Sequence, residues 1–262
     1  MKSPPPTERA PGARAPRPRD AFTLVELLVV MAIIALLAGL AFPTLARGRQ
    51  AAHGARCVAN LRQMGIAVRL YWDDHEGRAF PEGVMQVRDG QLYWFGWLQD
   101  GPEGAREFDP REGKLWPYLL GRGVETCPSL NRSHPLFKSK ARGAAFGYGY
   151  NLHLGPRDPE GSGRTPPVRV DALADPSAVA VFADCAQIND FQAPASAEYP
   201  MLEEFYFFET TFRTVHFRHG SQAVVAFVDG HVEPQRPEPG SRDLRLPSQM
   251  VGRLRRDLVV PR

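Results

Sequence analysis

One apolar segment constrains this chain more than any other feature. Residues 22–46 form a run of twenty-five residues in which Glu26 is the sole ionisable side chain. At about 1.5 Å per residue, a helix of this length measures roughly 37 Å and exceeds a hydrocarbon core of about 30 Å. The run therefore predicts a transmembrane helix. A carboxylate inside such a helix costs a few kcal/mol, so we expect Glu26 to have a partner or a purpose.

The charge distribution predicts the orientation of that helix. The 262-residue chain has a formal net charge of +3, and the basic leader, residues 1–21, holds five Lys or Arg against two acids. The leader alone accounts for the excess. Basic residues beside an apolar run keep that side in the cytoplasm, which places the C-terminal part across the membrane. A nucleic-acid-binding protein would carry its basic excess on a folded face, so no nucleic-acid partner is expected.

A cleaved signal peptide is the alternative interpretation of the run. Its hydrophobic region would span Leu27 to Ala38, with cleavage near residues 39–41. The apolar run continues beyond that site, and Glu26 interrupts it near its start. Helical patterning also persists for some thirty residues further. These features favour a retained anchor.

The start of the run resembles a known processing motif. Residues 21–26 read Ala-Phe-Thr-Leu-Val-Glu and enter the long apolar helix. This is similar to the N-terminus of type IV prepilins and type II secretion pseudopilins, although Ala21 stands where Gly is usual. The resemblance implies that a prepilin peptidase cuts between Ala21 and Phe22 and methylates the Phe22 amine. It also implies that Glu26 neutralises the amine of a neighbouring subunit during assembly in the inner membrane.

Residues 47–76 predict an amphipathic helical stalk that continues the anchor. Apolar side chains recur every three or four residues with arginines between them. The apolar positions are Cys57, Val58, Leu61, Met64, Val68, Tyr71 and Trp72. Such a helix needs a domain to lie on or neighbouring subunits to pack between.

Residues 77–234 predict a globular head, because the helical period disappears there and short strands alternate with Gly- and Pro-rich turns. The complete prediction is an α+β, pilin-like fold with a long N-terminal helix and an antiparallel sheet. Residues 235–262 are predicted to be a basic C-terminal tail, partly disordered. The predicted strands are Gln91–Trp97, Ala145–Tyr150, Ala178–Ala183, Glu204–Val215 and Ala223–Val228.

A second motif lies near the C-terminus. His219 is followed by nine residues and then by Asp229-Gly230. Together with residues 57–65, this resembles a bacterial subset of pilin-like proteins that carry a C-terminal His-nine-Asp-Gly motif, whose role the resemblance does not supply. From the residues themselves, Ala223–Val228 is a buried strand and Asp229-Gly230 predicts a two-residue type I′ turn.

The three cysteines allow at most one disulfide. We predict a Cys57–Cys127 bridge between stalk and head, with Cys185 as a buried free thiol. A separate hypothesis brings imidazoles and carboxylates together on a metal ion. The favoured explanation of these residues is structural, as turn and capping groups. The candidate ligands are Asp184, His216, His219, Asp229 and His231.

The favoured function is structural: a pilin-like or pseudopilin-like subunit of a type IV pilus or type II secretion apparatus. Its partners would be the prepilin peptidase, other pilin or pseudopilin subunits and the lipid bilayer. No cofactor is predicted, and no enzymatic role, since the chain has no Gly-x-Ser-x-Gly nucleophile motif. The alternative is a membrane-tethered binding module for a sugar or a metal. Trp94, Trp97, Trp116 and the Tyr-Phe-Phe run at 206–208 would then form a sugar-binding face, although the favoured explanation of these aromatics is a core.

Overall fold

One long helix, α1, spans Leu24–Asp74 in the computed structural model, which describes residues 23–80, 85–121, 126–142, 147–155 and 167–261. The helix starts with a capping box, in which two residues satisfy each other's backbone amides. The Thr23 amide donates to Glu26 Oε2 at 2.9 Å, and the Glu26 amide donates to Thr23 Oγ1 at 3.3 Å. The leader residues and the predicted cleavage residues Ala21 and Phe22 lie outside the described residues.

The chain divides after Arg47 into two units. The described part of the first unit is the N-terminal portion of α1. By length and composition this helix can cross a membrane, and none of its most apolar window is buried. The large apolar side chains described between Leu24 and Leu45 are exposed to solvent. An unpartnered apolar surface of this length indicates a membrane-anchored protein.

In the second unit, the C-terminal portion of α1 packs on the head. Its apolar stripe recurs at intervals of three or four residues and enters the main hydrophobic core, as the sequence predicted. The aromatic side chains of the head sheets, such as Phe182 and Trp94, lie in the same core. The buried stripe comprises Cys57, Leu61, Met64, Val68, Tyr71 and Trp72.

The head is antiparallel-rich and mainly β, which confirms the α+β prediction. Its short second helix, α2, spans Arg256–Val259, and 3-10 turns span Pro110–Glu112, Trp116–Leu119, Val170–Ala172, Pro176–Ala178 and Pro247–Gln249. The described strands are β1 (Met85–Val87), β2 (Gly90–Tyr93), β3 (Gly96–Gln99), β4 (Phe108–Asp109), β5 (Phe137–Lys138), β6 (Tyr148–Asn151), β7 (Ala180–Asp184), β8 (Ala186–Asn189), β9 (Met201–Glu204), β10 (Phe207–Phe208), β11 (Val215–His216), β12 (Ala223–Phe227), β13 (Val232–Gln235) and β14 (Val251–Gly252).

A central sheet has the strand order β10-β6-β7-β12-β13, in which only the β10–β6 pair is parallel. β7 and β12 are buried along their whole length, with Val225 opposite Ala183. Among the described strands, three smaller sheets have the orders β1-β2-β3-β4, β5-β9-β8 and β11-β14. Both faces of the central sheet are buried, one with Phe182 and Val224 in the main core and the other with Val225 and Phe227 in a second core.

Two predicted strands are interrupted. Gln91–Trp97 is a hairpin of β2 and β3, because residues 94–95 turn between them. The turn could not be predicted from hydrophobic periodicity, because the turn residues are aromatic like those of the flanking strands. The predicted strand Glu204–Val215 breaks into β9, β10 and β11, since the Glu209 carboxylate accepts hydrogen bonds from the amides of Thr211 and Phe212 and closes a turn there.

The predicted C-terminal tail is part of the head. Leu258 and Val259 of α2 are buried in a second core on the face of the central sheet that carries Val225 and Phe227. Asn151 Nδ2 also donates to the Val259 carbonyl at 2.8 Å. The basic composition of residues 235–262 concealed these apolar contacts, and the boundary at residue 234 was wrong.

The turn after β12 differs from the prediction as well. Gly230 has a left-handed φ of +95°, but Asp229 is not among the described residues with positive φ. The Gly230 amide donates to the Phe227 carbonyl, and the Phe227 amide donates to the His231 carbonyl. The connection is therefore a three-residue loop closed by a glycine, not a two-residue type I′ turn, which requires positive φ at both central positions.

We expect Leu61→Ala to destabilise the head by about 2–5 kcal/mol, because it empties a fully buried site in the core. Ile66→Ala is the matched control on the same helix, where the side chain is 63% exposed, and should change stability by about 0.5 kcal/mol or less. Denaturant unfolding of the full chain in detergent measures both. Equal losses in the two variants would contradict the packing of α1 described above.

Candidate functional site

The Glu26 carboxylate is engaged within its own helix. Besides the Thr23 amide, it accepts a hydrogen bond from Thr23 Oγ1 at 2.7 Å. An acid in the first turn also interacts favourably with the positive end of the helix dipole. The sequence presented Glu26 as an isolated charge in an apolar run, whereas the structure gives it a local capping role.

A second site lies inside the head, where four side chains that commonly bind metals converge. Their potential ligand atoms all lie within 4.8 Å of one another. Cys57 comes from α1 and Asp184 from the end of β7. Cys127 comes from a loop before β5, and His219 from the turn before β12. We call these four residues the Cys/His/Asp cluster.

The contacts inside the cluster are direct. Cys57 Sγ donates to Asp184 Oδ1 at 3.1 Å. His219 Nε2 lies 3.3 Å from Cys127 Sγ and 3.3 Å from Asp184 Oδ2. The two cysteines and Asp184 are fully buried, while the His219 side chain is 11% exposed. Each side chain thus reaches at least one other member of the cluster.

Asp184 is held in place from two sides. The Val224 amide of β12 donates to Asp184 Oδ2 at 2.8 Å, and Arg218 Nη2 lies 3.4 Å from Asp184 Oδ1. Arg218 Nη2 also donates to the carbonyls of Gly147 and Cys185. The buried guanidinium is therefore fixed beside the cluster and compensates a buried carboxylate.

The α1 side of the cluster is held by polar groups too. Tyr148 OH donates to Cys57 Sγ at 3.4 Å, and Asn60 Nδ2 donates to Tyr148 OH at 3.2 Å. Asn60 follows Cys57 by three residues, which places both on one face of the helix. This chain of contacts explains why the head accepts buried polar atoms on α1.

The surroundings shift the pKa values of the Cys57 and Cys127 thiols in opposite directions. Burial raises the pKa of Cys57. The hydrogen bonds with Cys57 and His219 lower the pKa of Cys127 to about 5. Burial opposes protonation of His219, but hydrogen bonds to Asp184 and Cys127 outweigh it and raise its pKa to about 9. These shifts favour the charged forms of Cys127, His219 and Asp184 and the neutral thiol of Cys57.

The structure divides the predicted metal ligands into separate groups. Asp184 and His219 meet, but their neighbours are the two cysteines. His231 and Asp229 instead pair with each other after β12, with Nδ1 2.6 Å from Oδ1. His216 is buried and lies outside the set of four, and burial holds its pKa well below the ordinary value. The five residues of the metal hypothesis therefore do not converge, because His219 precedes β12 whereas Asp229 and His231 follow it.

The cysteine prediction is partly right. The structure brings Cys57 and Cys127 together and buries Cys185, but all three are free thiols. The predicted bridge is absent as a bond, although its two sulfurs are neighbours. Trp94 and Trp97 are buried in the head, so they do not form the exposed sugar-binding face considered above.

A cluster of buried charges was missed by the sequence reasoning. The parallel β5–β9 pair brings Lys138 opposite Glu203, and Lys140 Nζ lies 2.5 Å from Glu203 Oε1. Glu103 contacts both lysines. The alternating lysines and the Glu203-Glu204 pair are visible in the sequence. Their contact could not be predicted, because it depends on a strand pairing between segments about 65 residues apart.

Glu204 in this charge cluster differs from its neighbour. Its Oε1 accepts from the Lys140 amide at 3.0 Å, and its Oε2 has no hydrogen-bond partner among the described residues. Burial raises its pKa to about 7 and outweighs the hydrogen bond from the Lys140 amide, which lowers it; the Glu203 charge raises it by a smaller amount. Glu204 thus titrates near neutral pH inside the head.

Comparison with known protein families finds one match. Residues 16–42 match the family model described as the prokaryotic N-terminal methylation motif. No curated protein and no solved structure matches the chain. The match covers the predicted cleavage site and Glu26, and with the apolar helix it supports a membrane-anchored, pilin-like or pseudopilin-like protein. It does not reach His219, Asp229 or Gly230, so the C-terminal motif stays a prediction.

We expect Glu204→Gln to flatten the dependence of stability on pH. The ordinary pKa of 4.5 rises to about 7 on folding, so the folded head retains this proton and loses stability as pH rises through that window. The loss at pH 8 is on the order of 3 kcal/mol at most. The variant should melt above the wild type at pH 8, and the difference should shrink at pH 5.

Glu198→Gln, at an exposed carboxylate, is the control for the thermal melts of the full chain. Parallel melting curves of wild type and Glu204→Gln from pH 5 to pH 8 would show that Glu204 does not titrate in this way.

Proposed function

We propose that this chain is a structural subunit of a type IV pilus or type II secretion apparatus, assembled through α1. The proposal rests mainly on the methylation motif at residues 16–42, which overlaps the start of the 51-residue helix α1. The exposed apolar portion of α1 supports an anchor, and its buried portion supports attachment to a folded head.

The charge of the leader supports one orientation in the inner membrane. The basic residues 1–21 stay in the cytoplasm, and the head lies on the periplasmic or extracellular side. A prepilin peptidase then cuts on the cytoplasmic side and leaves Phe22 as the methylated N-terminus. The apolar side chains of α1 face lipid before assembly and neighbouring α1 helices afterwards.

Glu26 supports a specific assembly contact. Both described hydrogen bonds to its carboxylate use Oε2, so Oε1 is available to accept from the Phe22 ammonium of a neighbouring subunit. In an apolar bundle, a buried carboxylate–ammonium pair favours the stagger that joins the two charges and penalises others.

The mature protein should begin at N-methylated Phe22, because the proposed cut between Ala21 and Phe22 lies inside the matched residues 16–42. Mass spectrometry of the N-terminal peptide from native membranes measures this directly. A mature N-terminus at Phe42 would instead establish a cleaved signal peptide and remove the anchor.

Glu26→Gln should abolish subunit–subunit cross-links while leaving insertion and cleavage intact. Glutamine preserves the capping box but cannot neutralise the neighbouring ammonium. The unpaired buried charge costs roughly 3–5 kcal/mol per contact. The readout is the yield of cross-linked adducts in native membranes, normalised to the amount of processed subunit.

Thr23→Ala is the matched control, since it removes the side-chain cap and keeps the Glu26 charge. It should cost about 1 kcal/mol of helix stability and retain the adducts. If Glu26→Gln forms adducts at the wild-type level, charge neutralisation is not what assembles this chain.

One observation favours the alternative of a tethered binding module. A cavity of about 370 Å³ in the head is lined by Tyr93, Phe205 and Tyr206 together with polar groups such as Gln187 and Lys140. Aromatic faces with convergent polar groups suit a sugar. Oligosaccharide-dependent melting of the full chain, with unchanged adducts in Glu26→Gln, would support that function over assembly.

A further inference from the structure

The Cys/His/Asp cluster is not used by processing or by the contacts proposed for Glu26. We propose that Cys57, Cys127, Asp184 and His219 form a closed, structural binding site for a divalent transition-metal ion, with Zn²⁺ as the expected occupant. This inference is independent of the filament function, because it concerns the second unit of the chain alone.

The donor set suits zinc. Two sulfurs, one imidazole nitrogen and one carboxylate oxygen are ligands that zinc accepts, and sulfur donors select against Mg²⁺ and Ca²⁺. Four protein donors complete a tetrahedral shell without a water molecule, which is typical of structural sites. The burial of the two cysteines and Asp184 agrees with a site that is closed to substrate.

The spacing of the donors suits it as well. With metal–ligand bonds of about 2.0–2.3 Å, the edges of a tetrahedron measure roughly 3.3–3.8 Å. His219 Nε2 lies 3.3 Å from Cys127 Sγ, and Asp184 uses different oxygens toward its neighbours, with Oδ1 3.1 Å from Cys57 Sγ and Oδ2 3.3 Å from His219 Nε2. Whichever of these oxygens binds the ion therefore has one donor close to the length of a tetrahedral edge. All remaining donor pairs lie within 4.8 Å, so adjustments of a few tenths of an ångström to about 1 Å would seat an ion.

The charges also balance. Two thiolates, one carboxylate and Zn²⁺ carry a total charge of −1. Arg218 lies 3.4 Å from Asp184 and would bring the buried assembly to neutrality. Its contacts with the Gly147 and Cys185 carbonyls hold the guanidinium beside the donors rather than between them.

The groups around the donors match those that orient metal ligands. Tyr148 OH donates to Cys57 Sγ, and the Val224 amide donates to Asp184 Oδ2. Hydrogen bonds of this kind fix ligand orientation and tune ligand basicity in metal sites. An ion here would clip α1 to three segments of the head that are distant in sequence.

The alternative for Cys57 and Cys127 is a disulfide, which would leave neither sulfur as a thiolate that can bind the metal. The full chain is therefore purified in detergent without chelator or reductant. Metal content is measured by mass spectrometry, and thiols are counted after denaturation. We expect one zinc ion per chain and three thiols. Cobalt substitution of the wild type should give thiolate charge-transfer bands and intense tetrahedral ligand-field bands.

Cys57→Ser, Cys127→Ser and His219→Gln should lose the ion and the chelator-induced drop in melting temperature. Cys185→Ala and His231→Gln are matched controls that should retain both. The wild-type cobalt spectrum decides the outcome if a variant does not fold. A metal-free chain after zinc reconstitution, whether it holds three thiols or a Cys57–Cys127 disulfide, overturns the proposal. So does zinc retained in both single cysteine variants.

Discussion

The packing of one face of α1 against the head is the contact on which the rest of the second unit depends. The buried stripe from Cys57 to Trp72 supplies one wall of the main core, and the central sheet supplies the other. Without the helix, the face of the sheet that carries Phe182, Val224 and Ala226 would lose that wall and expose apolar side chains. The helix is thus structural for the head as well as an anchor.

That packing also explains where the polar chemistry of the head lies. A long helix laid across a sheet brings residues from one end of the chain against loops that come much later. Cys57 therefore reaches Asp184 at the end of β7, and Asn60 reaches Tyr148. Buried polar atoms are expensive unless each finds a partner, and here the helix and the strand ends satisfy one another. The same principle governs Lys140 and Glu203 between β5 and β9.

The sequence predicted those features that depend on local periodicity. The apolar run, the stripe on α1, the buried strand β12 and the α+β class follow from spacing alone. The proximity of Cys57 and Cys127 was also predicted. The metal hypothesis already grouped Asp184 with His219, but their contact with the two cysteines was not predicted. Asp229 and His231 were grouped with them too, whereas β12 carries these two residues away from His219. The C-terminal segment was misjudged because basic residues surround its few buried apolar side chains, Val251, Leu254, Leu258 and Val259.

The separation of His219 from Asp229-Gly230 has a geometric consequence. The nine intervening residues comprise a tight turn closed by reciprocal His219 and Gln222 hydrogen bonds, the five-residue strand β12 and Val228. The interval therefore fixes the distance of one strand between His219 of the Cys/His/Asp cluster and the loop that Gly230 closes. Adding one residue within β12 would exchange the side chains of its two faces, moving Val225 and Phe227 from the core under α2 to the core under α1. In this head, a fixed count of residues is equivalent to a fixed choice of which side of the sheet each side chain occupies.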